Sequence, residues 1–167
     1  MIKYIGLILI FITSVLIGFS FTERLNNRIK ILKSIKSLLQ QFKIEINYQM
    51  PALTELYNQS EDNNILQLTN NILQNLQKGL TPEESVVKGV ECSPCTDVLS
   101  DEEKSFIIST FSRIGTSDTE GQISLLENAA EKIDFYIENA IENKRKNSKV
   151  YLTASIYTGL ALVIILL

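Results

Sequence analysis

The sequence predicts an all-α protein: a cytoplasmic helical bundle of about six helices, flanked by an N-terminal and a C-terminal transmembrane helix. Three observations say so. Every charged residue except Lys3 falls between Glu23 and Lys149, which leaves both ends as long apolar runs. Between the ends, apolar residues recur at spacings of three and four, the period of one helix face. No segment alternates in the manner of a strand, and sequences that start or stop helices are frequent.

Residues 1–22 make the first predicted span. Tyr4 to Thr22 is nineteen residues without a charge, which at about 1.5 Å per residue covers roughly the ~30 Å of a bilayer's hydrocarbon. A cleaved secretory signal is the competing reading, but it fits poorly. Only Lys3 precedes the run, and Ser14, Gly18 and Ser20 form no A-x-A site. Residues 150–167 make the second span, where the competing reading is a buried core helix. That would have to bury a run ending bluntly in Ile164-Ile165-Leu166-Leu167. Tyr4 and Tyr151 stand at the charged boundaries, where an amphipathic ring suits the headgroup level. Arg24, Arg28, Lys30, Lys33 and Lys36 follow the first span, and Lys144, Arg145, Lys146 and Lys149 precede the second. Cations are retained on the cytoplasmic side, so residues 23–149 are expected in the cytoplasm and both termini across the cell membrane.

Within that central part, Leu25, Ile29, Leu32, Ile35, Leu39, Phe42 and Ile46 form one helical stripe, so the first membrane helix should continue as a stalk. Ile123, Leu126, Ala130, Ile133, Ile137 and Ile141 do the same before the second span, and the two stripes can pack antiparallel. Pro51 should end the first stalk and push Met50 out of the helical region. Ala52 to Tyr57 reads as a short helix, and Asn63 to Lys78 as a longer one with Ile65, Leu68, Ile72 and Leu76 on one face and Gly79 just past its end. Thr81-Pro82-Glu83-Glu84, Ser100-Asp101-Glu102-Glu103 and Ser117-Asp118-Thr119-Glu120 each fit the capping box that begins a helix. Gly115 can stop the helix that starts at Asp101.

Composition removes several function classes. The 127 residues from 23 to 149 suffice for one modest core and not two. With no histidine in the chain, imidazole bases and imidazole metal ligands are excluded. Ile44 to Asn143 carries eighteen acids against five bases, whereas Arg24 to Lys43 carries six bases and no acid. The basic collars suit anionic lipid, at about 1 kcal/mol per cation near the surface. An acidic body repels nucleic acid, which is not expected as a partner. It suits a basic protein, although an acidic surface also serves solubility alone.

Paired carboxylates at Glu83/Glu84 and Glu102/Glu103 have the chemistry for acid–base work or a hard cation. Both pairs sit in first helical turns, where they satisfy backbone donors instead. Cys92-Ser93-Pro94-Cys95 is a C-x-x-C, open to redox exchange, to a metal site shared between subunits, or to no chemistry at all. A redox pair belongs at a helix N-terminus in a βαβ setting, and zinc needs four ligands. With no Gly-rich loop and no evident nucleophile and base, no catalytic, cofactor-binding or metal-binding residue is assigned, and the chain reads as a non-enzyme without a small-molecule substrate. In the spans, Gly6, Ser14, Gly18, Thr158, Gly159 and Ala161 permit close packing between spans or between subunits, a homo-oligomer included.

Several segments together carry a resemblance. The chain has a span at each end, Glu45-Ile46 and Tyr48 followed by Pro51, the T-x-E-E start at Thr81, and Phe111 with Ile114-Gly115-Thr116-Ser117-Asp118 and Gln122. In these it resembles the stage III sporulation protein AB family of endospore-forming bacteria over nearly its full length. The resemblance implies a non-enzymatic subunit of the complex joining mother cell and forespore, in the mother-cell membrane that faces the forespore. It also implies a cytoplasmic domain similar to the F-type platform proteins of type II secretion and type IV pilus machines, which would offer its acidic surface to the complex's ATPase-like subunit. On that reading Glu83, Glu84, Ser117, Asp118 and Glu120 are the candidate partner contacts. The alternatives are a platform of another secretion or pilus system, and a membrane-tethered thiol oxidoreductase using Cys92 and Cys95.

Overall fold

Two unbroken helices of 48 residues each, α1 (Ile2–Gln49) and α6 (Thr119–Leu166), carry the two ends of the chain. The computed structural model describes residues 2–49, 51–58 and 62–166. Between the long helices come α2 (Leu53–Asn58), α3 (Leu66–Gln77), α4 (Pro82–Glu91), a 3-10 turn (Pro94–Val98) and α5 (Asp101–Phe111). Among the described residues there is no strand. The all-α expectation holds, and both stalks continue their apolar helices without interruption. The conformation expected of Met50 and the side chains of Lys3 and Tyr4 lie outside the described residues.

The chain divides into two compact units, a terminal one made of Met1–Ile29 with Asn139–Leu167 and a central one made of Lys30–Glu138. In the terminal unit α1 and α6 meet through small residues. Ser14 Oγ donates to the Ser155 carbonyl at 2.7 Å, and a Cβ added to Gly18 would collide with the Ser155 side chain. Phe21 and Tyr151 stack with centroids 5.5 Å apart. Outward, Ile8, Leu16, Phe19, Tyr157, Ile164 and Ile165 are exposed. A core helix of a soluble domain buries such residues, so that reading of the second apolar run is excluded. Both helices are long and apolar enough to cross a membrane. The hydroxyls of Thr13, Ser20 and Thr22 donate to carbonyls four residues back, the bonding that a hydroxyl in hydrocarbon requires.

In the central unit α1 and α6 run antiparallel. Lys36 pairs with Asp134 and Lys43 with Glu127, each at 2.6 Å, so seven residues forward on α1 is seven residues back on α6. These half-exposed pairs add little stability; burial of Leu32, Ile35, Leu39 and Phe42 in the core supplies it. Phe42, Tyr57 and Phe111 form a triangle at the centre, with centroids 5.3 to 6.3 Å apart. Tyr57 is 1% exposed, and burial pushes its phenol far above the ordinary range. Gly89 of α4 lies against Ile72 of α3 so closely that an added Cβ would collide with it.

The α6 seam differs from the predicted stripe. Leu126, Ile133 and Ile137 are buried as expected, but Ile141 is 45% exposed, and Ala129, Tyr136 and Ala140 take buried places instead. Tyr136 is held by α5: Phe106 packs edge-on against it at 5.7 Å, and the Tyr136 hydroxyl donates to Glu102 Oε1 at 3.0 Å. The predicted stripe has Ala130 where Ala129 takes the buried place, and it passes over Tyr136, an aromatic with a polar tip.

Helix ends follow local chemistry. Both of the first two capping boxes form: Thr81 and Ser100 accept from the amides of Glu84 and Glu103, whose side chains accept in return from the Thr81 and Ser100 amides. Glu103 is thereby a fully buried carboxylate held by a backbone donor. At the end of α3, Gly79 adopts φ +83°. The Leu80 amide reaches the Asn75 carbonyl and the Gly79 amide the Leu76 carbonyl, a Schellman closure.

Candidate functional site

Three segments far apart in sequence meet at one corner of the central unit. Ile46 from α1, Pro51, Leu53 and Leu56 around α2, Pro82 at the start of α4, and Ile114 to Ser117 with Gln122 enclose a cavity of about 490 Å³. Each wall is fixed locally. Proline at N1 of α4 costs no hydrogen bond, because that amide has no helical partner anyway. After α5 the chain makes one more irregular turn, then Gly115 takes φ +84° and reverses it. Gln122 clamps the reversal: its Oε1 accepts from the Gly115 amide at 3.0 Å and its Nε2 donates to the Ser117 carbonyl at 2.8 Å. Ile114 is buried beneath.

The third helix start is organised differently from the prediction. Asp118, not Ser117, is the cap: its Oδ1 accepts from the Gly121 amide at 3.1 Å, and its carbonyl accepts from Gln122 at 2.9 Å. Helix α6 accordingly starts at Thr119, so no glutamate stands three residues past the cap to close a box. The carboxylate wins because a charged acceptor makes the stronger bond to a helix amide.

All five predicted contact residues, Glu83, Glu84, Ser117, Asp118 and Glu120, are exposed. Ser117 lines the cavity, and Glu83 and Glu84 follow directly on Pro82, which does also. The structure therefore brings the two predicted clusters to one corner. The Thr81 amide and hydroxyl donate to the Glu84 carboxylate and hold it below the ordinary carboxylate range. Pro51, Leu53, Leu56 and Gln122 as cavity walls were not legible as one site, although prolines at two element junctions were the available signal.

The cysteines lie elsewhere. Cys92 is the C-cap of α4 and exposed; Cys95 is half-buried in the 3-10 turn, and both are free thiols. Ser93 and Thr96 between and beside them hold the turn: Ser93 donates to the Gly89 carbonyl at 2.6 Å and accepts from Asn71, and Thr96 lies 2.7 Å from the Val90 carbonyl. A redox C-x-x-C needs a thiol lowered at a helix N-terminus. Here burial pushes the Cys95 thiol up, and Cys92 sits at the negative end of its helix. Among the described residues no three His, Cys, Asp or Glu side chains gather as a metal site.

An all-α chain with two apolar helices long enough to span a bilayer, and a small acidic helical unit encoded between them, defines a class of helical proteins whose two ends are fit to cross a membrane. The chain belongs to the stage III sporulation protein AB family, whose model matches residues 3–167. No curated protein and no solved structure matches it.

Proposed function

We propose that this protein is a non-enzymatic membrane subunit of the mother cell–forespore channel complex, in which it acts as a platform. Its two apolar helices cross the mother-cell membrane that faces the forespore, the central unit lies in the cytoplasm, and the corner around Pro82 and Ser117 docks the complex's ATPase-like subunit. The observation that carries this reading is the family match across residues 3–167. It is supported by the outward-facing apolar side chains of the terminal unit, by the cations flanking both apolar runs, and by the acidic corner of the central unit. The high Cys95 pKa argues against the thiol oxidoreductase alternative.

The test is deletion of the gene with spore formation scored, alongside a pull-down from sporulating membranes and a reporter inserted near Asn70. Loss of spores, recovery of the ATPase-like subunit and a cytoplasmic reporter are the expected results. Normal sporulation or an extracellular reporter would overturn the proposal.

A further inference from the structure

We infer that the corner cavity takes one large apolar side chain of a partner segment whose neighbouring residues are Lys or Arg. The inference rests on the docking reading above and gives its partner a chemistry. Ile46, Leu53, Leu56, Ile114 and the two prolines make somewhat more than half of the wall apolar, with Thr116, Ser117 and Gln122 as its polar part, so an occupant gains by burying carbon against the apolar part. Gly115, Gln122 and the capping boxes hold the walls in place before anything binds, which removes the ordering cost of forming the pocket.

Charge selects what surrounds the anchor. Within two residues of the lining positions stand Glu45, Glu55, Glu83, Glu84, Asp118 and Glu120, against Arg113 as the one base. The starts of α4 and α6 contribute roughly half a positive charge each, far less than six carboxylates. Glu55, Glu84 and Asp118 are engaged with backbone amides, so Glu83 and Glu120 are the acids whose reversal leaves the caps intact. Acidic partners and anionic headgroups are repelled from this corner. A second copy of this chain carries exposed Ile44 beside Lys43 and exposed Val150 beside Lys149, so the test separates that occupant from a different partner chain.

The experiment places a photo-crosslinking benzoylphenylalanine at Thr116 of the full chain in sporulating cells, with a control at the exposed Gln74, and maps the captured segment by mass spectrometry. It should contain Leu, Ile, Met or Phe with Lys or Arg on either side. Two variants accompany it, Glu83→Lys combined with Glu120→Lys, and Thr116→Trp to fill the cavity. Both should lower partner recovery about tenfold with unchanged helicity. Capture of lipid, of a second copy or of an acidic segment, no capture at residue 116, or undiminished recovery with the filled cavity would each overturn the inference. If wild-type protein still co-purifies with its partner in those cases, the docking reading survives; if wild-type membranes yield no partner, that reading falls too.

Discussion

The Gln122 side chain holds the Gly115 amide at 3.0 Å, seven residues back in the chain, across the reversal that Asp118 caps. Replacing Asp118 by Ala should cost about 0.5–2 kcal/mol, whereas Ser117→Ala should stay within roughly 0.5 kcal/mol. Gln122→Leu removes the bonds to the Gly115 amide and the Ser117 carbonyl, both on exposed residues, and should cost about 0.5–1.5 kcal/mol. Denaturant unfolding of the full chain in detergent, followed by circular dichroism, checks all three. A larger loss at Ser117 than at Asp118 would contradict the assigned cap.

Gly89 and Ile72 compete for one volume between α4 and α3. Gly89→Ala should destabilise the central unit by about 1–3 kcal/mol through overpacking. Adding Ile72→Ala, which removes the Cγ1 that the new Cβ would meet, should recover part of that loss, so that the double variant costs less than the two single changes together. Additive costs in a double-mutant cycle would show that the contact is not the cause.

In the terminal unit, Gly18 faces Ser155 at a distance that admits no side chain. Gly18→Val should force α1 and α6 apart there. A cysteine pair at Phe21 and Tyr151, whose rings now stack at 5.5 Å, should lose its oxidative crosslink when combined with Gly18→Val and keep it only in part with Gly18→Ala. Equal crosslinking in all three backgrounds would refute the close approach.

The Tyr136 phenol is pushed up to about 12, first by burial and then by the Glu102 carboxylate that accepts its hydrogen bond. An unfolded tyrosine releases its proton near 10. Above that pH the unfolded chain binds fewer protons than the folded one, so stability falls as pH rises from about 10 to 12. Tyr136→Phe removes this contribution and should flatten the decline. Unfolding midpoints of both proteins across that window decide it, since parallel curves would exclude a role for Tyr136.

Cys92 is exposed and Cys95 half-buried with a raised pKa. A thiol reagent at neutral pH should therefore modify Cys92 well before Cys95. The double change Cys92→Ser and Cys95→Ser should leave sporulation intact. A spore defect in that variant would revive a redox or metal role.

What could be read ahead of the structure was local. The reciprocal bonds at Thr81/Glu84 and Ser100/Glu103 and the left-handed Gly79 involve residues within one turn of each other, so their identities suffice. The 3-10 turn at Pro94 escaped, since hydroxyls of Ser93 and Thr96 hold it and no hydrophobic period marks it. The α6 seam was partly misread because Tyr136 is buried through a contact with α5, thirty residues away. The corner cavity was invisible as a whole: Ile46, Pro82 and Gln122 acquire a common purpose only once the chain has closed on itself.

The lysine–carboxylate pairs of the central unit carry a mechanical consequence. Glu127, Glu131, Asp134 and Glu138 follow one another on α6 at steps of four, three and four. A slide of α6 along α1 by four residues, about 6 Å, would hand Lys43 from Glu127 to Glu131 and Lys36 from Asp134 to Glu138. The ionic rungs would be exchanged and not broken. Resistance to such sliding in the central unit must come from contacts other than the ion pairs, the buried Leu39, Leu126 and Ile133 and the Tyr136–Glu102 bond among them, which act as the brake on a force that pulls α6 past α1 there.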